Sequence, residues 1–394
     1  MRRYPKTVVK VGLLSLFTDM SSEMIFPLLP VFLATLPGGG PFVLGVIEGI
    51  AESTASFLKL VSGLWTDRIR KRTPFVIFGY GLAGCVRPLI GFAAVWPVVL
   101  ILRFMDRVGK GLRSSPRDAL IADSVPPERR GAAFALQRIM DHSGAVAGPV
   151  VASVLMKFLG FSIRQVILFA AIPSVIVIAI LSTLKEPSQS SLPQKQSSRD
   201  DQPVMSRDFR LLLAAVFVFT LGNSTDAFIL LRLSNAGMAV YNVALLWALH
   251  HVMKIAGAWV GGRFSDKLGR KTLVFAGFGL YALIYLAFGV IGSWQMLTAV
   301  FILYGASIGI LEPTERAWVS DLARLDRRGS AFGFYHAVKG FGALPASLIF
   351  GILWSRFGQA TAFLTGAGLA LAASGIVVMI RQNGRQTTIH AKTD

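Results

Sequence analysis

The sequence predicts an all-α membrane protein, with twelve transmembrane helices arranged as two pseudo-symmetric six-helix halves. Three observations predict it. Of the 394 residues, 53% are hydrophobic and only 15% charged, a balance foreign to water-soluble domains. Apolar runs of about 20 residues recur, each long enough to cross a hydrocarbon core about 30 Å thick. Finally, one basic block occurs twice, about half a chain apart. Gly63-Leu-Trp-Thr-Asp67-Arg68-Ile-Arg70-Lys71-Arg72 returns as Gly262-Arg-Phe-Ser-Asp266-Lys267-Leu-Gly269-Arg270-Lys271.

The apolar runs place spans at approximately 8–36, 42–65, 74–95, 98–121, 131–157, 164–184, 209–235, 238–262, 271–292, 295–320, 329–355 and 360–381. Met1-Arg-Arg-Tyr-Pro-Lys6 looks like the charged start of a signal peptide. The apolar segment behind it is too long for one, and no small-residue cleavage site follows, so it reads as the first span. Cations crowd every second turn: Arg68 to Arg72, Arg129-Arg130, Lys185 to Arg210, Arg263 to Lys271, Arg324 to Arg328 and Arg381 to Arg385. The opposite turns hold little positive charge beyond Arg164 and Arg356. That bias predicts a cytoplasmic (inner) membrane protein with both termini cytoplasmic. It also accounts for the net charge of +19 without nucleic acid as a partner, since no basic soluble domain or RNA-reading motif is present.

Residues 185–208 are rich in Ser, Gln and Pro and cannot bury a core; they read as a cytoplasmic linker. The chain thus divides into an N-terminal six-helix half at 1–184, the linker at 185–208, and a C-terminal half at 209–394. A second duplicated block supports the repeat. Pro116-Arg-Asp-Ala-Leu-Ile-Ala-Asp123 with Glu128-Arg-Arg-Gly131 corresponds to Pro313-Thr-Glu-Arg-Ala-Trp-Val-Ser-Asp321 with Asp326-Arg-Arg-Gly329. The single cysteine, Cys85, lies within an apolar run. It excludes a disulfide framework and a thiolate metal site.

Across almost its whole length the chain resembles a major facilitator superfamily transporter, and more particularly the drug or metabolite:proton antiporter branch. Gly63 to Arg72 resembles that superfamily's loop signature, G-x-x-x-D-R-x-G-R-K, with Arg70 in place of its glycine. The copy through Gly269 is closer. Gly144-Ala-Val-Ala-Gly148-Pro149 resembles the core of the antiporter motif, with Val151 and Ala152 where further glycines are usual. Arg103 to Gly111 loosely resembles the fourth-span motif, with Asp106 where a glutamine is usual. The resemblance implies alternating access, a monomer and no cofactor.

Within the signature, Gly63, Asp67, Arg68 and Lys71, with Gly262, Asp266 and Arg270 in the second copy, are expected to form a conformational latch. Asp67 would face the N-terminus of span eleven and Asp266 that of span five, where free N–H groups and the helix dipole favour an anion. The alternative is that these carboxylates only neutralise neighbouring arginines. Gly144, Gly148 and Pro149 are expected to pack span five closely and locally weaken its hydrogen bonding.

Ionisable groups at span depth are costly unless paired or facing water, so each is a functional candidate. Asp19 and Glu23 share a face of span one; Glu48, Glu52 and Lys59 share a stripe of span two. Span four carries Arg103, Asp106, Arg107, Lys110 and Arg113, span five Asp141 and His142, and span seven Asp226, which roughly corresponds to Glu23 in the repeat. The substrate- and proton-binding candidates are Asp19, Glu23, Glu52, Arg107, Lys110, Asp141, His142 and Asp226. Glu23 and Asp19 suit proton coupling, because one carboxylate binds either a proton or a cation. Arg107 and Lys110 suit an anionic part of a substrate. For Lys59, Arg87, Arg103 and Asp106, interhelical salt bridges are the preferred reading.

These features predict proton-coupled efflux of a small organic solute, anionic or zwitterionic, or of a drug, with lipid, solute and protons as partners. A divalent metal-ion exporter using Asp19, Glu23 and the mid-chain histidines stays open, as does a non-transporting membrane receptor or scaffold. No dedicated metal site is expected; His250 and His251 are adjacent and point to different helix faces. The chain is not expected to be an enzyme, because no nucleophile–base arrangement or phosphate-binding loop is present.

Overall fold

The computed structural model describes residues 5–69, 71–125, 130–184, 206–322 and 328–381. Most of the expected linker therefore lies outside the described residues. Twelve passes are built from α1 (Lys6–Ile25), α2 (Leu29–Ala34), α3 (Pro41–Ile69), α4 (Thr73–Leu89), α5 (Trp96–Asp123), α6 (Arg130–Leu159), α7 (Ile163–Phe169), α8 (Ala171–Leu181), α9 (Arg207–Gly222), α10 (Ala227–Asn235), α11 (Val240–Leu268), α12 (Arg270–Val290), α13 (Trp294–Leu322), α14 (Arg328–Phe357) and α15 (Gln359–Val378). The first pass joins α1 to α2, the sixth α7 to α8, and the seventh α9 to α10.

Each interruption has a local cause. Pro27 lies between α1 and α2, and Pro173 lacks the N–H that would bond back to Phe169, so both helices break just upstream. Between α9 and α10 stand Asn223, Ser224, Thr225 and Asp226. Short polar side chains compete for the backbone there: the Ala227 N–H donates to Thr225 Oγ1 at 3.4 Å. Ten described segments are long and apolar enough to cross a membrane. Spans four and eight are absent from that set. They are crossed by Arg103, Asp106, Arg107, Lys110 and Arg113, and by His250, His251 and Lys254.

Gly269 has φ +85° and links α11 to α12 in a single residue; a side chain is disfavoured in that conformation. In the first copy the corresponding Arg70 lies outside the described residues. The signature's first part is helical in both copies, so α3 and α11 run several residues beyond the expected span ends.

In the first half α1 packs on α6 and α8, and α3 and α4 on α5; in the second, α11 packs on α13, and α9 and α12 on α15. The halves meet through α3 against α14, α6 against α11, and α2 against α10. The side remote from the signature turns is tightly shut. A Cβ on Gly45 would stand 2.4 Å from the Ser347 carbonyl oxygen, and one on Gly351 2.9 Å from that of Pro41. Lys157 Nζ lies 5.7 Å from the Tyr241 ring on the same side.

Gly144 and Gly148 seat α6 on α1, where a Cβ would come within 2.1 Å of Leu16 O and 2.4 Å of Met20 O. Gly257 and Gly309 do the same for α11 and α13, at 2.3 Å from Ala306 O and 2.4 Å from Lys254 O. Backbone contacts this close leave no room for a larger residue.

Candidate functional site

A cavity of about 410 Å³ lies between the halves. Of the sequence-derived candidates, Glu23, Glu52, Arg107, Lys110 and Asp226 line it. Asp19, Asp141 and His142 lie outside its lining. Asp141 accepts a bond from Gln137 Nε2 at 3.3 Å, and Arg117 approaches it at 4.0 Å. Gln137 also reaches Ser15 Oγ at 3.1 Å, and Ser15 in turn meets the Tyr80 hydroxyl at 3.1 Å. This is a polar seam between α1, α4, α5 and α6.

Glu23 bridges the halves. Trp247 Nε1 donates to its Oε2 at 2.7 Å, His251 Nε2 stands 3.6 Å from the same oxygen, and Ser22 Oγ donates to Oε1 at 3.2 Å. Phe26 packs on the Trp247 ring at 5.0 Å. His250, on the adjoining face, is buried and lies flat against Trp247 at 4.8 Å. The neighbouring histidines therefore have separate surroundings, and among the described residues no group of three His, Cys, Asp or Glu side chains is spaced for a metal ion.

Beneath the cavity, the first half holds a buried ion network. Arg87 Nε donates to Asp106 at 2.7 Å, and its Nη1 to the Thr18 carbonyl at 2.6 Å. Arg103 contacts Glu48 at 2.5 Å and Asp106 at 3.6 Å. Four helices are tied together by side chains that are at most 5% exposed. Arg113 lies 4.5 Å over the Tyr80 ring. Arg107 differs: it is 9% exposed, faces the cavity, and its Nε is buried without a hydrogen-bond partner.

The facing wall belongs to the second half. The Tyr304 hydroxyl donates to Asp226 Oδ1, and the Tyr281 hydroxyl to Asn223 at 2.9 Å. Lys254 is 4.0 Å from Glu312, which also pairs with Arg316 at 2.5 Å. Lys339 lies 3.5 Å from Glu315, whose other bond comes from the Tyr335 hydroxyl at 2.7 Å. Sequence reasoning did not assign Tyr304 to the site. The register that matches Pro116 with Pro313 sets it opposite Arg107, which was the available signal.

The expected latch falls only partly on described residues. The side chains of Asp67, Arg68 and Asp266 lie outside the described residues, as does the environment of Gly262. Gly63 sits in contact with Ser115, 3.4 Å from an added Cβ. Lys71 is exposed. Arg270 donates to the Ala317 carbonyl and pairs with Asp321, joining α12 to α13 within one half.

The family model of the Major Facilitator Superfamily matches residues 11–253 and 212–392. The chain belongs to the major facilitator superfamily. An uncharacterized MFS-type transporter of Methanocaldococcus jannaschii is 33% identical over 96% of this chain and 95% of its own length. Multidrug resistance protein MdtH of Citrobacter koseri is 22% identical over 79% of this chain and 77% of its own. Among solved folds, the nucleoside transporter NupG superposes with a TM-score of 0.78 at 12% identity, covering 96% of this chain and all of that one. An inward-facing bacterial homolog of the lysosomal transporter Spinster gives 0.73 at 16% identity, covering 95% and 94%. Membership of the superfamily rests on a family model that covers most of the chain. It makes the chain a multi-pass membrane transporter of small molecules.

Proposed function

We propose that this transporter exports a small organic anion or zwitterion in exchange for protons, by alternating access in the cytoplasmic membrane. The cation bias of the turns orients the signature side, and both termini, toward the cytoplasm. The tight approach of the halves at Gly45 and Gly351, on the opposite side, supports entry of solute from within.

The observation that carries the reading is Glu23. It is a mid-depth carboxylate on the first half, and its principal donor, Trp247, is on the second. An ionised carboxylate accepts that bond and attracts His251; a protonated one loses the charge that strengthens both contacts. Proton binding is thereby linked to the free energy of holding the halves in this arrangement. The antiporter-like Gly144 to Pro149 segment and the similarity to a multidrug resistance protein favour efflux over uptake.

The test is purified protein in liposomes enclosing a pH-sensitive dye, challenged with pools of organic anions, zwitterions and drugs. A solute gradient is expected to drive protons in wild type, and Glu23→Gln is expected to abolish that movement. A Glu23→Gln protein that still moves protons at the wild-type rate removes Glu23 from the coupling.

A further inference from the structure

We propose that the solute is a zwitterion gripped at its two ends by opposite halves. Arg107 and Lys110 take its carboxylate or phosphate-type group, and Asp226 takes its ammonium. The proposal rests on reading the cavity as the solute site, and it follows from which charges there are already satisfied. On the second half's wall, Lys254 has Glu312 and Lys339 has Glu315 and Tyr335. On the first half's wall, Glu48 is held by Arg103, and Glu23 by Trp247 and His251.

Four charged groups of the lining then stand without an ion pair within 4.0 Å among the described residues: Glu52, Arg107, Lys110 and Asp226. Arg107 and Lys110 lie on one face of α5, three residues apart. Against them the same wall carries Glu52, which pairs with neither within 4.0 Å. A buried guanidinium with an unpartnered Nε presents a donor that an anion would satisfy.

Asp226 is the mirror case. It sits in the non-helical break between α9 and α10, and Tyr304 supplies one bond, to Oδ1. No described cation pairs with it within 4.0 Å. Broken helices at mid-depth place binding groups in this way, since exposed backbone is tolerated only where it lines a cavity. Phe219, Trp247 and Tyr304 line the same cavity, an apolar and aromatic surface for the body of the solute. A solute with one charge would leave the other wall's group buried and unpaired, which is costly. A solute with both also ties the halves together, so only the correct cargo would favour closure around it.

The experiment compares three compounds of one skeleton on the purified full-length protein: phenylalanine, 3-phenylpropionate and 2-phenylethylamine. Apparent affinity is read from ligand-dependent thermal stabilisation. Phenylalanine is expected to bind about tenfold tighter than either singly charged compound, the equivalent of one charge-assisted hydrogen bond. Arg107→Gln should erase its advantage over the amine, Asp226→Asn its advantage over the acid, and Arg107→Lys should keep most of it. The lysine variant guards against loss of folding, which size-exclusion chromatography also checks. Equal responses to all three compounds, or an advantage that survives both neutralising variants, overturn the proposal. The proton assay on the same protein is separate. A zwitterion preference without proton movement defeats the coupling role of Glu23 alone, and proton movement driven only by a singly charged solute defeats the zwitterion alone.

Discussion

The two halves repeat one another in topology but not in what fills their centres. The register that matches Asp67 with Asp266 sets Glu48 opposite Trp247 and Glu52 opposite His251, and the register that matches Pro116 with Pro313 sets Arg107 opposite Tyr304. Where the first half carries charge, the second carries rings. Among the described residues, the buried arginines 87, 103, 107 and 113 belong to the first half, against Arg232 in the second. Of the largest fully buried side chains, all but Phe32 and Tyr80 belong to the second half. Phe219 stacks on Phe278 at 4.1 Å, Tyr281 on Tyr285 at 4.3 Å, and His250 on Phe301 at 5.0 Å.

The difference teaches how a shared backbone plan acquires a directional cavity. Ion networks are specific but brittle, since each member depends on its partners to offset desolvation. Aromatic stacks spread their stabilisation over many weak contacts and tolerate exchange. One wall therefore sets an unpartnered guanidinium beside a fixed ion network, and the other is an aromatic surface into which Asp226, Glu312 and Glu315 are let.

The comparison breaks most visibly at Asp106. Replacing it by Asn should cost about 3–5 kcal/mol, because Arg87 and Arg103 are left buried with uncompensated charge. Thermal unfolding in detergent would show the loss. An Arg87→Met, Asp106→Leu pair should recover part of it, and an Asp106→Asn protein as stable as wild type would mean the network contributes little. Next comes helix contact, which both halves share: Gly144→Val and Gly257→Val should each cost about 1–3 kcal/mol or more from overpacking. A fluorescence-detected melting series would rank them, and an unshifted melting point at either position would contradict the backbone approach described.

Smaller effects sharpen the second half. Tyr304→Phe removes the donor to Asp226 and should cost about 0.6–1.7 kcal/mol, in the range of membrane hydrogen bonds. Unchanged stability together with unchanged solute affinity would detach Tyr304 from the site. His250→Phe is the mildest. The ring already stacks on three aromatic neighbours, and its Nδ1 has no partner. An apolar ring of similar shape should therefore be neutral within about 1.5 kcal/mol. A large destabilisation there would assign His250 a polar role that its surroundings do not suggest.

Much was legible before the structure. Span number, the helix-packing role of Gly144 and Gly148, and the pairing of Arg87 and Arg103 with carboxylates follow from periodicity and from the cost of charge in lipid. The site was half legible. Glu23, Glu52, Arg107, Lys110 and Asp226 reach the cavity, but Asp19, Asp141 and His142 carry the same intramembrane signal and fall outside its lining. A sequence marks a residue as too polar for lipid; it does not say whether water or another side chain receives it.

By itself, then, the sequence determined the membrane class, the twelve passes, the duplicated plan and the set of charges that must avoid lipid. These depend on local hydropathy, spacing and helix geometry, which act along the chain. Only the tertiary structure decided that Glu48 is spent on Arg103 while Arg107 stays open, and that Glu23 meets Trp247 across the halves. Pairing of that kind depends on rotation of one helix against another. The same helical face can meet a partner, the cavity or lipid, and that choice is made by packing among segments hundreds of residues apart.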